Sequence, residues 1–443
     1  MPYCFGGRVR GDFGRHARAM SLALALPVLS IPSADEPTFV SALAGAPEPV
    51  VEGRALWVNR FEYNSPADVR EIIAKAAGAN FNVVYFQVRG QGDAYYRSDL
   101  EPCAIRICGR LGNGIAPWDP LEIAIHEAHA RGVELHAWLN ALPGWASPTA
   151  NNAAFCSLLV ESRPGFPRHM LLAHPDWVMT RRDGTPMDCF TSQEPEYAYV
   201  SPGIPAVRAH LGRVAADVVR RYPVDGIHLD RIRYPGPAWS HDVPSVAAFR
   251  ARTGRAPAPS SDPEWDRFRR EQIDAVVKAV FDSTTAVRHD VVLSAATWPI
   301  HDRTTFGWPS SSAVSQFYQD ARAWAAGGYA DVLAPMAYFR INEQYCSYAL
   351  PGGRTNPDWA CLLDDQQSGL RATGAQLYLG LWADLGPDEL ARQVRLGRER
   401  RVHGFALYSY GPANAAGLFD ALRETVFREK AEVPAATRRG PPQ

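Results

Sequence analysis

"VDGIHLDRIRYPG", residues 224–236, decides how the chain is read. Ile227 and Leu229 mark a buried strand, the apolar pattern stops at Asp230, and Pro235 and Gly236 close the segment behind it. A carboxylate at that junction sits where a strand opens into a loop. Such a place suits catalysis. It also suits an ion pair with Arg231 or Arg233, and both readings stand at this point.

Seven further runs share this pattern: "RALWVN" (54–59), "NVVYFQV" (82–88), "ELHAWLN" (134–140), "VVLSAATW" (291–298), "VLAPMAYF" (332–339), "QLYLGLW" (376–382) and "GFALYSY" (404–410). Helical patterns lie between them. "SPADVREIIAKAAGA" offers Ser65 as a cap with Pro66 in its first turn, and "DPLEIAIHEAHARG" has Asp119 before Pro120 and Gly132 to close it. "GIPAVRAHLGRVAADVVRRY", "DPEWDRFRREQIDAVVKAVFDS", "SQFYQDARAWAAGG" and "GPDELARQVRLGRER" complete the set. Strands alternating with helices imply a parallel sheet, and eight units favour a closed (β/α)8, or TIM, barrel over an open doubly wound sheet. No G-x-G-x-x-G follows the first strand, so no dinucleotide cofactor is expected.

The connections are unequal. Some sixty residues follow "HAWLN" before the next helix, whereas the returns "AGANF", "RGVE" and "RYPVD" are short. Long βα-loops place the working face at the C-terminal ends of the strands.

With 443 residues, 46% hydrophobic and 21% charged, and a formal net charge of −1, the chain has an ordinary globular composition and no basic field for nucleic acid. Arg8, Arg10, Arg15 and Arg18 precede "AMSLALALPVLSIPSA", which reads as a secretory leader and is too short for a membrane span. Residues 1–45 are therefore expected outside the fold, the barrel over 52–425, a disordered tail over 430–443, and a monomer in the periplasm or outside the cell. Six further cysteines fall as close pairs, and in an exported chain disulfides 103–108, 156–189 and 346–361 are expected, that is Cys103 with Cys108, Cys156 with Cys189 and Cys346 with Cys361. No pair has metal-ligand spacing, so no metal site is expected.

The strand ends carry Asn59 and Arg60, Gln87 and Arg89, Trp138 and Asn140, His228 and Asp230, Thr297 and Trp298, Tyr338, Trp382 and Asp384, and Tyr408 and Tyr410. Rings with amides and few charges suit a hydroxylated ligand, because ring faces stack on a sugar while amides and carboxylates bond its hydroxyls. Each position also has a plain structural reading: the aromatics as core, His228 as a hydrogen-bonded core residue, and Asp93 in "RGQGDAYY" as a turn acid.

"RALWVNRFE", "FNVVYFQVRGQGDAYYRSDLEP", "WDPLEIAIHEAHARGVELHAWLN", "HPDWV", "SPGIPAVRAHLGRVAADVVRRYPVDGIHLDRIRYP" and "ADVLAPMAYF", in that order, resemble the bacterial glycosyl-hydrolase-like family ten proteins over about residues 52–425. The resemblance implies an envelope (β/α)8 glycosidase domain; at least some members cleave peptidoglycan strands stripped of peptides. Arg231 departs from it, standing where many members carry a second adjacent acid, and so does Met336 after Pro335.

A glycosidase needs one acid and a second stabilising group, in most families another carboxylate. Asp230 is the first choice, with Asp93, then Asp384, Asp302 and Glu343 as partners, unless a substrate acetamido group takes that part. Arg60, Gln87, Arg89, Trp138, Asn140, His228, Arg233, Trp298, Tyr338, Trp382, Asp384 and Tyr408 are the expected sugar-binding set. Arg60, Arg89, Arg231 and Arg233 are candidates for binding an acid such as the lactyl group of peptidoglycan. The alternative is a carbohydrate-binding protein on a degenerate barrel; a metal-dependent deacetylase stands behind both.

Overall fold

The computed structural model describes residues 49–146, 159, 162–187, 197–259, 261–304, 312–342 and 357–436. Eight strands form a closed barrel: β1 (Gly53–Val58), β2 (Val83–Arg89), β3 (Glu134–Asn140), β4 (Gly226–Asp230), β5 (Val292–Thr297), β6 (Val332–Pro335), β7 (Gln376–Trp382) and β8 (Gly404–Tyr408). Every neighbouring pair is parallel, and β8 closes on β1 with Gly404 opposite Gly53 and Tyr408 opposite Trp57. The seam is tight. A Cβ on Gly404 would lie 2.3 Å from the Gly53 carbonyl oxygen, so only glycine fits there.

The helices that follow the strands include α1 (Pro66–Gly78), α2 (Pro120–His129), α3 (Pro205–Arg221), α4 (Pro263–Thr285), α5 (Ala321–Ala326), α6 (Trp359–Leu370), α7 (Pro387–Glu399) and α8 (Leu418–Thr425). Five of these start on a side-chain cap. Ser65 makes a reciprocal capping box with Asp68, and Asp119 accepts the amides of Leu121 and Glu122. Both have proline at the first helical turn, where a missing N–H costs nothing. The expected helix over "SQFYQDARAWAAGG" is divided instead: Asp320 caps α5, and a separate helical turn covers Ala313–Gln316. Tyr318 between them has φ of +53°, which a continuous helix does not allow.

Alternation along the strands sorts side chains into two cores. One face packs beneath the helices, with residues such as Leu56, Val84 and Leu135. The other fills the barrel, where Trp57, Tyr85, Trp138 and Tyr378 are offset by Ala55, Ala296, Ala334 and Ala406. His228 stands among the large rings, stacked on Tyr85 at 3.9 Å. Its Nε2 accepts the Trp57 indole N–H at 2.9 Å, so its proton sits on Nδ1, which faces Ser294 Oγ at 2.9 Å. Burial and nearby His136 hold the imidazole well below the usual histidine range, hence neutral.

The barrel floor extends past the expected boundaries. Val50–Val51 pairs with Ala431–Glu432, the Asn82 side chain bonds the Ala431 carbonyl, and Gln376 bonds those of Pro434 and Ala435. The expected tail over 430–443 is thus part of the fold as far as these residues. A two-residue strand leaves no periodic signal. Among the described residues no helix is long and apolar enough to cross a membrane.

Cys103 and Cys108 form a disulfide, as expected. Cys361 is disulfide-bonded as well, while Cys346, Cys156 and Cys189 lie outside the described residues.

A buried ion pair anchors the loop that leaves β2. Arg89, fully buried, binds Glu101 through Nε and Nη2 and reaches the Asn140 and Ala141 carbonyls through Nη1. His210 on α3 meets Glu101 Oε1 at 3.2 Å. Burial pushes the Glu101 acid up, but Arg89 and His210 outweigh it and hold it at about 2. A carboxyl depressed on folding stabilises above its unfolded value of 4.5, and this stabilisation fades as pH falls toward 2. Glu101→Gln is expected to cost about 3 kcal/mol at neutral pH, since each tenfold change in proton affinity corresponds to about 1.4 kcal/mol. Urea unfolding at pH 7, 4 and 3 checks this: the deficit should shrink as pH falls, and an equal deficit at all three values would contradict it.

Candidate active site at the barrel mouth

The strand ends divide into a closed arc and an open one. Over β2 and β3 the polar residues bond to the protein itself. Gln87 Oε1 accepts the Arg60 amide, and its carbonyl accepts the Tyr63 hydroxyl. Asn140 donates to the Gly90 carbonyl and accepts from the Trp138 indole. Asp93, 1% exposed, takes the amides of Gly90 and Gln91 on one oxygen, the turn-acid arrangement. Arg89 is committed to Glu101. These residues, expected to line the ligand site, are buried and bonded within the protein, and His228 lies one layer below Asp230.

The open arc runs from β4 through β8 to β1. Asp230, Trp298, Tyr338, Trp382, Tyr408 and Asn59 are all half-buried. Tyr338 stacks on Tyr408 at 5.5 Å and lies 6.4 Å from Trp382, with the Trp57 ring beneath both tyrosines. Burial, then Tyr408, then the Asp230 charge push the Tyr338 phenol well above its ordinary value, so it stays a neutral donor. The alternation that puts Trp57 and His228 inside the barrel carries Asn59 and Asp230 to the rim.

Asp230 faces two contacts among the described residues, both on Oδ1: the Arg231 amide at 2.5 Å and Arg233 Nη1 at 3.6 Å. The second is an ion pair too long for a hydrogen bond. The two side chains are 13% and 9% exposed, and the Arg233 guanidinium also lies over Trp298 at 5.5 Å. Arg231 turns away with φ of +51°, and its guanidinium lies over the Tyr197 ring at 5.3 Å. Arg60 donates to the hydroxyl of that tyrosine at 3.1 Å. Tyr197, on the long connection after β3, is therefore gripped by arginines from the ends of β1 and β4.

Of the other acids, Asp384 is exposed just beyond Trp382, in the short 3-10 turn Ala383–Leu385. Asp302 bonds the Thr304 amide in its own turn, and Glu343 lies outside the described residues. Sequence reasoning missed Glu62 and Tyr197. Glu62 takes the Asn59 and Gly411 amides and the Ser409 hydroxyl, tying β1 to β8. Burial raises its acid although all three bonds oppose the shift. The only signal for Glu62 was its place three residues after Asn59. For Tyr197 there was none, because its partners come from distant strands. Among the described residues no three His, Cys, Asp or Glu side chains gather as a metal site.

Comparison with known proteins gives a consistent picture. Residues 52–349 match the family described as Glycosyl hydrolase-like 10. The chain is 27% identical over 269 residues to Glycosyl hydrolase DigH of Escherichia coli K12, covering 60% of this chain and 56% of that protein. It is 26% identical over 374 residues to Glycosyl hydrolase YngK of Bacillus subtilis, covering 80% and 65%. It thus spans less than two thirds of either relative. Among solved structures, the PgaB (BpsB) glycoside hydrolase domain from Bordetella bronchiseptica superposes with a TM-score of 0.57 at 15% identity, over 84% of this chain and 98% of that one. The catalytic domain of a Paenibacillus polymyxa beta-amylase gives 0.55 at 11%, over 87% and 100%. At such identities the likeness is one of fold, the TIM barrel used by glycoside hydrolases, and with the match across two thirds of its length this chain belongs to the Glycosyl hydrolase-like 10 family.

Proposed function

We propose that the chain is a glycoside hydrolase acting on a cell-envelope polysaccharide, specifically peptidoglycan glycan strands, with Asp230 as its principal carboxylate. The observation that carries this reading is the placement of Asp230 at the end of β4, on the arc of the mouth where Trp298, Tyr338, Trp382 and Tyr408 are only partly buried. Rings of this kind stack on sugars, and a carboxylate among them lies where charge develops at a cleaving glycosidic bond. Family and fold support the reaction class. The leader-like residues at the start and the resemblance drawn from the sequence support an envelope glycan, in the periplasm or outside the cell.

One carboxylate is not enough. Glycoside cleavage requires on the order of 20 kcal/mol of barrier lowering, and a single acid or base supplies only about 10²- to 10⁴-fold. Asp93 is spent on its own turn. Asp384, exposed beside Trp382, moves ahead of it as second carboxylate, with a substrate acetamido group as the other source of that role. Arg60 and Arg89 are buried away from the open arc, on Tyr197 and Glu101; Arg233, which lies on that arc beside Asp230 and over Trp298, is the candidate for a lactyl acid.

A specific observation favours a second reading, non-catalytic carbohydrate binding. Arg231 occupies the position after Asp230 and clasps Tyr197, so no second acid stands there. One experiment separates the two. The chain is incubated with peptide-free peptidoglycan strands, intact peptidoglycan, chitin oligomers and neutral β-glucans, and released sugars are analysed by mass. Release from stripped strands is expected, falling at least about 10²-fold in Asp230→Asn while binding persists. Binding with no release from any glycan would transfer the assignment to a binding protein. Trp382→Ala should raise KM about three- to tenfold with kcat nearly unchanged, as loss of a stacking face predicts. A fall in kcat alone would place Trp382 elsewhere in the reaction.

A further inference from the structure

A cavity of about 640 Å³ lies away from Asp230, where the loops after β3, β4 and β5 converge on the first turns of α4. Its walls are Arg181–Asp183 from the first loop, Pro237, Ala238 and His241 from the second, and Ser315 and Tyr318 from the third, with Trp265 and Arg269 of α4 also lining it. The walls are tied to one another. The His241 amide donates to the Thr180 carbonyl, Arg269 Nη1 to the Pro237 carbonyl, and the Tyr234 amide to the Phe317 carbonyl. Arg269 also lies over the Tyr318 ring at 3.7 Å, and Arg181 over Trp239 at 4.8 Å. The site is built before any ligand arrives.

Its chemistry is unbalanced toward donors. The three acids in the wall are already engaged: Asp262 by Arg255 and the amides of Ala258 and Trp265, Asp266 by Arg269, and Asp183 by the Thr185 amide. Burial, with Arg182 and Arg269 nearby, lowers His241 to about 4, so its ring is neutral at physiological pH. On the donor side, exposed Arg182 gives one N–H to the Pro257 carbonyl, from a guanidinium that carries five. Trp265 and Arg269, 1% and 4% exposed, form its rigid floor. A partner for Arg182 in this wall supplies an anionic oxygen acceptor. The volume is that of a small-molecule site, and the proline and alanine rim suits the apolar side of a sugar ring.

We propose that this cavity binds a carboxylate-bearing sugar unit of the glycan, with Arg182 as the acid's principal partner. The inference rests on the glycan reading of the mouth and extends it. The segment from Asp230 to His241 has the catalytic candidate at one end and the cavity at the other, so a polymer held in both would be fixed along its length.

The test uses the full Asp230→Asn chain with ¹⁵N-labelled tryptophan, the indole signals of Trp265 and Trp382 being assigned by their loss in Trp265→Phe and Trp382→Phe. The probes are the disaccharide of N-acetylglucosamine and N-acetylmuramic acid, and the neutral disaccharide chitobiose. The acidic probe is expected to shift both indoles, and Arg182→Gln should weaken the binding read at Trp265 by about tenfold, the usual worth of a charge-assisted contact. A shift at Trp382 with Trp265 unmoved overturns the second site and leaves the mouth reading intact. Equal response of Trp265 to chitobiose overturns recognition of the acid. If neither indole moves with either probe, both readings fall.

Discussion

The hydrogen bond from the Trp57 indole to His228 crosses the inside of the barrel, joining β1 to β4, and the working face rests on it. In a low-dielectric interior an unpaired indole N–H or imidazole nitrogen carries a desolvation cost, so each of the two groups stabilises the other. Their pairing, with Ser294 on the far nitrogen and Tyr85 stacked on the ring, fixes which residues of β1 and β4 point inward. Two residues further along each strand, that parity delivers Asn59 and Asp230 to the rim. Trp57 is also the floor on which Tyr338 and Tyr408 stand. The same bond therefore sets both the acid and its aromatic surroundings.

Around that floor the mouth is asymmetric for electrostatic reasons. The closed arc is one in which each cation has found an internal partner: Arg89 on Glu101, and Arg60 on Tyr197. Buried guanidinium groups are costly unless their N–H groups are matched, and matching them draws the neighbouring loops over the strand ends. The open arc carries mainly rings, with Arg233 beside Asp230 as its cation, and stays accessible. The long excursion after β3 is held across this boundary by Tyr197, so the two arginines that seemed free to meet a ligand act as its clasp.

Much of the fold was legible because its signals are local. Alternating apolar runs gave all eight strands, and Ser65 and Asp119 before proline announced their helices. Asp230 could be located for the same reason, since a strand end and its acid lie within a few residues. What stayed hidden was decided by partners far apart in sequence. Whether Arg89 meets a ligand or Glu101, and whether Asp93 faces a cleft or its own turn, depends on loop conformations that no periodicity encodes. The Val50–Val51 pairing with Ala431–Glu432 is the extreme case, two residues at each end of the fold with nothing to mark them until they meet.

That pairing also determines how the molecule can be held. Because Ala431–Glu432 lies beside Val50–Val51, and the carbonyls of residues 431, 434 and 435 bond Asn82 and Gln376 at the starts of their strands, these two short strands lie together at the pole opposite the mouth. A bead or a surface joined at exposed Val51 or Glu432 points the aromatic rim away from its support. Held so, the protein keeps its cleft turned toward any polymer too large to diffuse around it.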